Sequence, residues 1–177
     1  APWRKITDFK NGETAKIIGN IASLDEPIVA PLSKRKCSYY FVLIEEKVRH
    51  GKSSSWRTII EKEAMSKFLV KDKGYSALIN TPQIMSNIVI DRKYSSGLFD
   101  DASDNLKNYL HKLGHDSEGI FGFNKEIRYK EGILEENERV AVLGEGHWED
   151  AEKHGLAPEQ GQVLVITAAD KEHIYLS

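Results

Sequence analysis

Short runs of apolar and β-branched residues, separated by glycine and polar turns, recur along the chain and predict a series of β-strands. The first run, residues 13–24, suits a strand that bends at Gly19, because glycine inside a strand pattern often marks a bulge or a barrel corner. A second β-prone run covers residues 37–48, and a polar turn separates it from a return run at 56–60. These two runs predict one long hairpin over residues 38–60.

The second half of the pattern predicts further strands. Residues 68–70 and 75–79 are apolar runs joined by a polar turn that ends at Gly74. Residues 127–134 and 139–144 are typical of a strand, a polar turn and a second strand. The remaining candidate strands are 84–90, 163–167 and 173–176. The last two are expected to pair with each other as a terminal hairpin.

One segment, residues 103–113, has the periodicity of a helix instead. Ser103 can cap its start by accepting an orphan backbone N–H, and Gly114 can close its end in a left-handed conformation. A second, shorter helix is predicted around residues 150–154, before Gly155. The apolar residues of the first helix recur at i, i+3, i+4 and i+7, and they are Leu106, Tyr109, Leu110 and Leu113.

Many short strands and a single good helix predict a mainly β fold, a distorted barrel or sandwich of short antiparallel strands with one lateral helix near 103–113. With 177 residues, 40% of them hydrophobic, the chain can bury one core, so we predict a single domain over 1–177, or one with two lobes. The net charge of −2 weighs against a nucleic-acid module, which usually has a basic surplus. The densest basic run, residues 34–36, is typical of a solvated loop.

Residues that could bind a metal ion are sparse. The one cysteine, Cys37, excludes an intrachain disulfide and a cysteine-rich metal site, and it reads as a small buried residue of a strand. His111 and His115 are four residues apart, but Gly114 is expected to end the helix between them. We therefore predict no metal and no cofactor.

Catalytic motifs are weak. No serine lies in a Gly-x-Ser-x-Gly elbow, and the Gly144-Glu145-Gly146 turn lacks the lysine of a phosphate loop. Clustered acids near the end of the 127–134 strand are typical of solvated turns. We therefore expect no enzyme activity from this chain alone. The rival interpretation is an enzyme centred on Arg128 and Glu131, with His147 as a further group.

Aromatic residues in the predicted strands allow two interpretations. Alternating aromatics in strands usually pack in the core. They could also form a stacking face for single-stranded nucleic acid, as in barrels of the oligonucleotide-binding type, but only Lys125, Arg128 and Lys130 lie nearby to contact phosphates. We expect no nucleic-acid partner, and keep this barrel as an alternative. The aromatics concerned are Tyr39, Tyr40, Phe41, Trp56, Phe121, Phe123 and Tyr129.

The strand that contains Arg128 and Glu131 alternates charged and apolar residues. Arg128 and Lys130 are expected to face one way, and Glu131 the other way together with the neighbouring tyrosine. A half-buried glutamate needs a partner, which Arg57 or Arg139 could supply. We therefore predict an ordering network that fixes the register of this strand.

Several short motifs follow one another in a distinctive order. They are Ile18-Gly19, Pro27, Ala30-Pro31, Cys37-Ser38-Tyr39-Tyr40 leading to Ile44-Glu45, Trp56, residues 68–74, Arg128-Tyr129-x-Glu131 with Leu134, and residues 140–144. In this order they resemble the GIDE domain, also named the "beside a membrane" domain, over about residues 14–177. This domain occurs in mitochondrial E3 ubiquitin ligases and in uncharacterised prokaryotic membrane proteins.

The resemblance implies an extramembrane domain of a membrane-associated protein, on a side of the membrane that the residues do not reveal. Residues 1–12 would be an N-terminal juxtamembrane segment, and flanking helices outside this chain would provide the anchor. The ligases also need a zinc-binding RING module, which one cysteine cannot build. The resemblance therefore implies recognition of a protein or peptide, or a regulatory role, rather than ligase activity. Its motif residues are Cys37, Tyr39, Tyr40, Trp56, Arg128, Tyr129 and Glu131.

Overall fold

The computed structural model describes residues 1–80, 84–86, 92–96, 104–115, 126–168 and 174–176. For 84–86, 92–96 and 174–176 the description is confined to the backbone. Several sequence predictions lie outside these ranges, namely the Ser103 cap, the strand residues 87–90 and 173, Phe121, Phe123 and Lys125. Strands make up 57% of the structure. The prediction of a mainly β fold is therefore confirmed.

Thirteen strands and one α-helix are described, together with short 3-10 turns at Ile6–Asp8, Ala151–His154 and Pro158–Gln160. The helix is α1 (Asp104–Lys112). The strands are β1 (Glu13–Ser23), β2 (Ile28–Val29), β3 (Lys36–Cys37), β4 (Tyr39–His50), β5 (Ser53–Met65), β6 (Phe68–Asp72), β7 (Tyr75–Ile79), β8 (Ile84–Ser86), β9 (Arg92–Ser96), β10 (Ile127–Leu134), β11 (Arg139–Asp150), β12 (Gln162–Thr167) and β13 (Ile174–Leu176).

A closed five-stranded barrel forms one half of the fold. Its strands follow the order β1-β6-β7-β12-β11, and β11 pairs again with β1 to close the ring. All neighbours are antiparallel except β7 and β12, which are parallel. The predicted distorted barrel is therefore confirmed, with one parallel pair among the antiparallel strands.

The barrel interior is filled by alternating residues of its strands, because successive side chains of a strand point to opposite faces. Phe68, Ile79 and Leu164 are fully buried there. The N-terminal segment belongs to the same core, since Ile6 and Phe9 are buried in it. Residues 1–12 therefore pack on the barrel as part of the domain.

Two glycines mark places where the barrel has no room for a side chain. A Cβ at Gly19 would lie 2.5 Å from the carbonyl oxygen of Lys71 on the neighbouring strand. A Cβ at Gly146 would lie 2.4 Å from the ring of Phe9. Gly19 sits where β1 changes its partner from β11 to β6, as expected for a barrel corner.

The predicted terminal hairpin is wrong. β12 pairs with β11 and β7, whereas β13 pairs with β11 and β8. The strand β11 is 12 residues long, so its first half accepts β13 and its second half accepts β12. The local sequence could not predict this arrangement. Strands that follow one another in a chain often pair with each other, but here each of them pairs with a different part of the long strand β11.

A four-stranded antiparallel sheet forms the other half of the fold, in the order β5-β4-β10-β9. The hairpin predicted over residues 38–60 is confirmed as β4 and β5, with a tight turn at Gly51 and Lys52. It is longer than expected, since β5 continues to Met65. A β-bulge in β5 shifts the register beside the pair Ile44 and Glu45.

The helix α1 covers the inner face of this sheet. Leu106, Tyr109 and Leu110 are buried in one cluster with sheet residues such as Val42 and Ile44, as the helical periodicity predicts. Leu113, the fourth residue of that pattern, lies beyond the end of the helix and is 38% exposed, so its predicted burial is wrong. The helix ends at Lys112, and Gly114 follows with a φ of 79°, so the predicted left-handed end is confirmed. The 3-10 turn at 151–154 likewise stops at Gly155, with a φ of 75°.

The helices in the described residues are all too short or too polar to cross a lipid bilayer.

Candidate recognition surface on the open sheet

The two faces of the four-stranded sheet differ in character. Val42 and Ile44 of β4 lie opposite Glu131 and Tyr129 of β10 on the inner face, and all four are buried. Arg128 lies on the other face, opposite Glu45. The predicted opposite orientation of Arg128 and Glu131 is therefore confirmed. The two residues belong to different sites, one on each face of the sheet.

Glu131 anchors a loop on the inner face. It is 5% exposed, and its two carboxylate oxygens accept hydrogen bonds from the backbone N–H groups of Leu32 (2.8 Å) and Ser33 (2.9 Å). The expected charged partner is wrong, because Arg57 donates to Glu46 instead and Arg139 lies on the barrel strand β11. The Glu131 carboxylate therefore fixes a loop through backbone hydrogen bonds and not through an ion pair with arginine.

A group of buried titratable residues surrounds Glu131. Burial, together with the nearby Glu131 carboxylate, raises the pKa of the Cys37 thiol to about 11. Burial also raises the pKa values of the Tyr40 and Tyr109 hydroxyls. Within the described residues, the hydroxyl of Tyr109 has no hydrogen-bond partner. These groups are held neutral, and Cys37 is the small buried residue that its strand position predicts.

Most of the predicted aromatic motif is core. Tyr39 and Tyr129 are 1% and 7% exposed, and the Tyr39 hydroxyl donates to Glu63 at 2.7 Å. Phe41 packs against the barrel core. Buried rings cannot stack on nucleobases, and Trp56 is the partly exposed aromatic that lies beside Arg128 on the outer face.

Arg128, Glu45 and Trp56 form one fixed unit on the outer face. The Nε of Arg128 donates to Glu45 at 2.5 Å, and the guanidinium carbon lies 4.4 Å from the centre of the Trp56 ring. The hydrogen bond from Arg128 lowers the pKa of the Glu45 carboxyl, so this carboxylate stays charged near neutral pH. The three strands β10, β4 and β5 each contribute one residue.

Further charged residues border this unit. The Lys47 ammonium contacts Glu126 at 2.8 Å, and Arg49 lies 3.6 Å from the same carboxylate. Lys130 is close enough to Glu45 to lower the pKa of its carboxyl. At the end of this face that borders residues 53–58, the described cations outnumber the carboxylates, whereas Glu61 and Glu63 lie on the same face towards its other end. The cations at the first end are Lys47, Arg49 and Arg128, and the carboxylates there are Glu45 and Glu126.

The strand β5 is one edge of the four-stranded sheet as the described residues define it, and β9 is the other. It is 13 residues long, and most of its side chains are exposed. Its second half carries Glu61, Lys62 and Glu63, and charges of this kind discourage indiscriminate edge pairing. Its first four residues, 53–56, are uncharged and end with Trp56.

The residues of the rival catalytic interpretation do not converge. Arg128 and Glu131 lie on opposite faces of the sheet, and His147 is on the barrel, where it contacts Glu145 at 2.7 Å. Across the described ranges, no group of three His, Cys, Asp or Glu side chains is arranged to hold a metal ion.

Sequence reasoning missed Glu45 as a functional candidate. The register of the β4–β5 hairpin and its pairing with β10 place Glu45 against Arg128. Opposite charges at alternating positions of two strands were the available signal, but the pairing of β4 with β10 spans about 80 residues and has no local signature.

No protein-family model, no curated protein and no solved structure matches the chain. The resemblance to the GIDE domain therefore stays a prediction.

Proposed function

We propose that this domain is a non-catalytic recognition module of a membrane-anchored protein, and that it binds an extended segment of a partner protein as an added strand along β5. Strand addition uses the backbone N–H and C=O groups of an open sheet edge for affinity and neighbouring side chains for specificity. The observation that carries the proposal is the long β5 edge, which ends the four-stranded sheet beside the fixed Trp56 and Arg128 pair.

The first half of β5 is the favoured docking segment. Ser53, Ser54 and Ser55 are exposed and uncharged, whereas the second half carries three consecutive charges. A strand added beside residues 53–58 would place alternate side chains next to Trp56, which supplies a rigid apolar surface with little conformational entropy to lose. The charges of the second half thus disfavour pairing there, and the partner strand is expected to dock beside residues 53–58.

The membrane setting of the proposal is supported by the order of the GIDE-like motifs alone. A test is the behaviour of the full-length gene product in cells. It is expected to sediment with membranes and to resist extraction by alkaline carbonate, which releases peripheral proteins. Recovery of the full-length product in the soluble fraction would contradict this part of the proposal.

Peptide display on the immobilised domain tests strand addition. Random peptides are selected on the wild type, with a PDZ domain of known specificity screened in parallel to show that the library works. Selected peptides are expected to contain alternating β-branched residues and to bind in solution. If the PDZ domain recovers its ligand and this domain enriches none, the proposed function is wrong.

Two neighbouring proline variants locate the bound strand. In an antiparallel pair, successive residues direct their N–H groups to opposite edges, so only one of Ser54 and Ser55 presents its N–H to the open edge. One of S54P and S55P should therefore keep the melting temperature and lose about 10-fold or more in peptide affinity. The other should lower the melting temperature, since it removes a bond to β4. Equal peptide affinity in wild type and both variants would exclude binding at this edge.

A further inference from the structure

We infer that Arg128 anchors a carboxylate of the bound segment, so that the partner supplies an aspartate or glutamate side chain next to Trp56. This inference rests on the proposed function and names the chemistry of its ligand. It starts from the hydrogen bonds of one guanidinium group and from the charge of the surface around it.

The donors of Arg128 are only partly used. Its Nε donates to Glu45, and within the described residues neither terminal nitrogen, Nη1 or Nη2, has a hydrogen-bond partner. The side chain is 36% exposed, so these donors are accessible from the outer face. An arginine whose Nε is already satisfied can offer its two terminal nitrogens as a fork to a planar carboxylate.

The fork is held in place before any ligand arrives. Glu45, whose side chain is 13% exposed, accepts a hydrogen bond from the Nε of Arg128, and the guanidinium carbon lies 4.4 Å from the centre of the Trp56 ring. A long arginine side chain normally loses rotamer entropy when it binds. Because the stack and the ion pair have already restricted Arg128, this cost is reduced.

The charge around the fork favours an acidic ligand. Glu45 alone would repel a second carboxylate, but Lys130 acts on Glu45 from the same face, and Lys47 and Arg49 lie beyond it. At the end of this face that borders residues 53–58, the described cations Lys47, Arg49 and Arg128 exceed the two carboxylates, Glu45 and Glu126. The residual positive potential therefore attracts an acidic segment and disfavours a basic one.

The position of the fork links it to the strand edge. Arg128 is on the third strand from the edge at β5, yet its guanidinium reaches over Glu45 on β4 to the ring of Trp56 on β5. An added strand lies about 5 Å beyond β5. A glutamate side chain of that strand can span this distance to the fork.

The experiment repeats the peptide selection with R128Q, and with R139Q as the matched control. Arg139 is an exposed arginine of the barrel strand β11, away from the open sheet. The wild type and R139Q are expected to enrich peptides with an acidic residue at one fixed position. R128Q should lose this enrichment, and its affinity for a selected peptide should fall about 10-fold or more. Circular dichroism and the melting temperature verify that each variant is folded.

The ligand side is tested with one selected peptide in three versions, which carry glutamate, glutamine or lysine at the enriched position. Wild type should prefer glutamate to glutamine by about 10-fold, and R128Q should bind both equally. Peptides that bind the open edge without an acidic preference, or with a preference that survives in R128Q, overturn the inference but leave strand addition intact. A peptide-binding domain whose bound ligand is insensitive to both proline variants overturns strand addition and this inference together.

Discussion

The closed barrel and the open sheet differ in how the backbone N–H and C=O groups at their strand edges are paired. In the barrel, β11 pairs with β1 and closes the ring, so its backbone groups are satisfied internally. The four-stranded sheet ends on one side at β5, where Glu61, Lys62 and Glu63 discourage edge pairing along the second half of the strand, whereas residues 53–56 are uncharged. This difference is the basis of our proposal that the sheet, rather than the barrel, provides the surface for a partner.

The largest expected effect comes from breaking the barrel core. F68A removes a fully buried ring and should destabilise the domain by about 3–5 kcal/mol, which lowers the melting temperature by roughly 10 °C. Urea unfolding measures the change, with Y75A at a half-exposed ring as the control. At a temperature where F68A is still folded, it should bind a selected peptide as the wild type does. Weakened binding there would show that the two halves do not have separate roles.

The loop anchor of the open sheet should give the next largest effect. E131A leaves the N–H groups of Leu32 and Ser33 without their buried acceptor, which should cost about 2–4 kcal/mol. E131Q should cost less, because the amide keeps one acceptor oxygen. Hydrogen exchange of the two amides should speed up in both variants. An unchanged melting temperature for E131Q would refute the anchoring role.

A smaller effect is expected from the ion pair on the outer face. The folded-state pKa of Glu45 lies below its ordinary value of 4.5, so its stabilising contribution is fully present above that value. It is lost as the pH falls through the lowered folded-state pKa. The stability difference between wild type and E45Q should thus be constant between about pH 5 and 8 and shrink at more acidic pH. A difference independent of pH down to the acid transition would contradict the pairing with Arg128.

The smallest effect concerns the thiol below the open sheet. Burial raises the pKa of Cys37 to about 11, from an ordinary value of 9.0. The folded state therefore retains the thiol proton, and the contribution to stability is present below about pH 9 and lost as the pH rises towards 11. At pH 8 an alkylating reagent should modify Cys37 only after unfolding by urea. Rapid alkylation of the native protein would show that the inner face is accessible.

The sequence pattern predicted the local elements well, because alternation and turn residues are local properties. The β4–β5 hairpin and the end of α1 at Gly114 follow from alternating apolar residues and from a glycine with positive φ. The opposite orientations of Arg128 and Glu131 follow from the two-residue period of a strand. These predictions depend only on residues that are close together in the sequence.

The pattern could not predict pairings between distant strands. β10 and β11 are separated by a short turn but belong to different sheets, and β7 pairs in parallel with β12 from the far end of the chain. The partners of Glu131 are backbone amides of Leu32 and Ser33, which no residue type reveals. The Glu45 contact of Arg128 was missed for the same reason, since it depends on the register between β4 and β10.

Hydrogen exchange with and without a selected peptide tests most directly whether the open edge is the recognition surface. The account predicts new protection of amides in residues 53–58 of β5, and unchanged exchange in the barrel strands β6 and β7. The R128Q variant should show little new protection at the same peptide concentration, because its affinity is lower. Protection that appears on the barrel, or on α1 while β5 exchanges as before, would contradict the account.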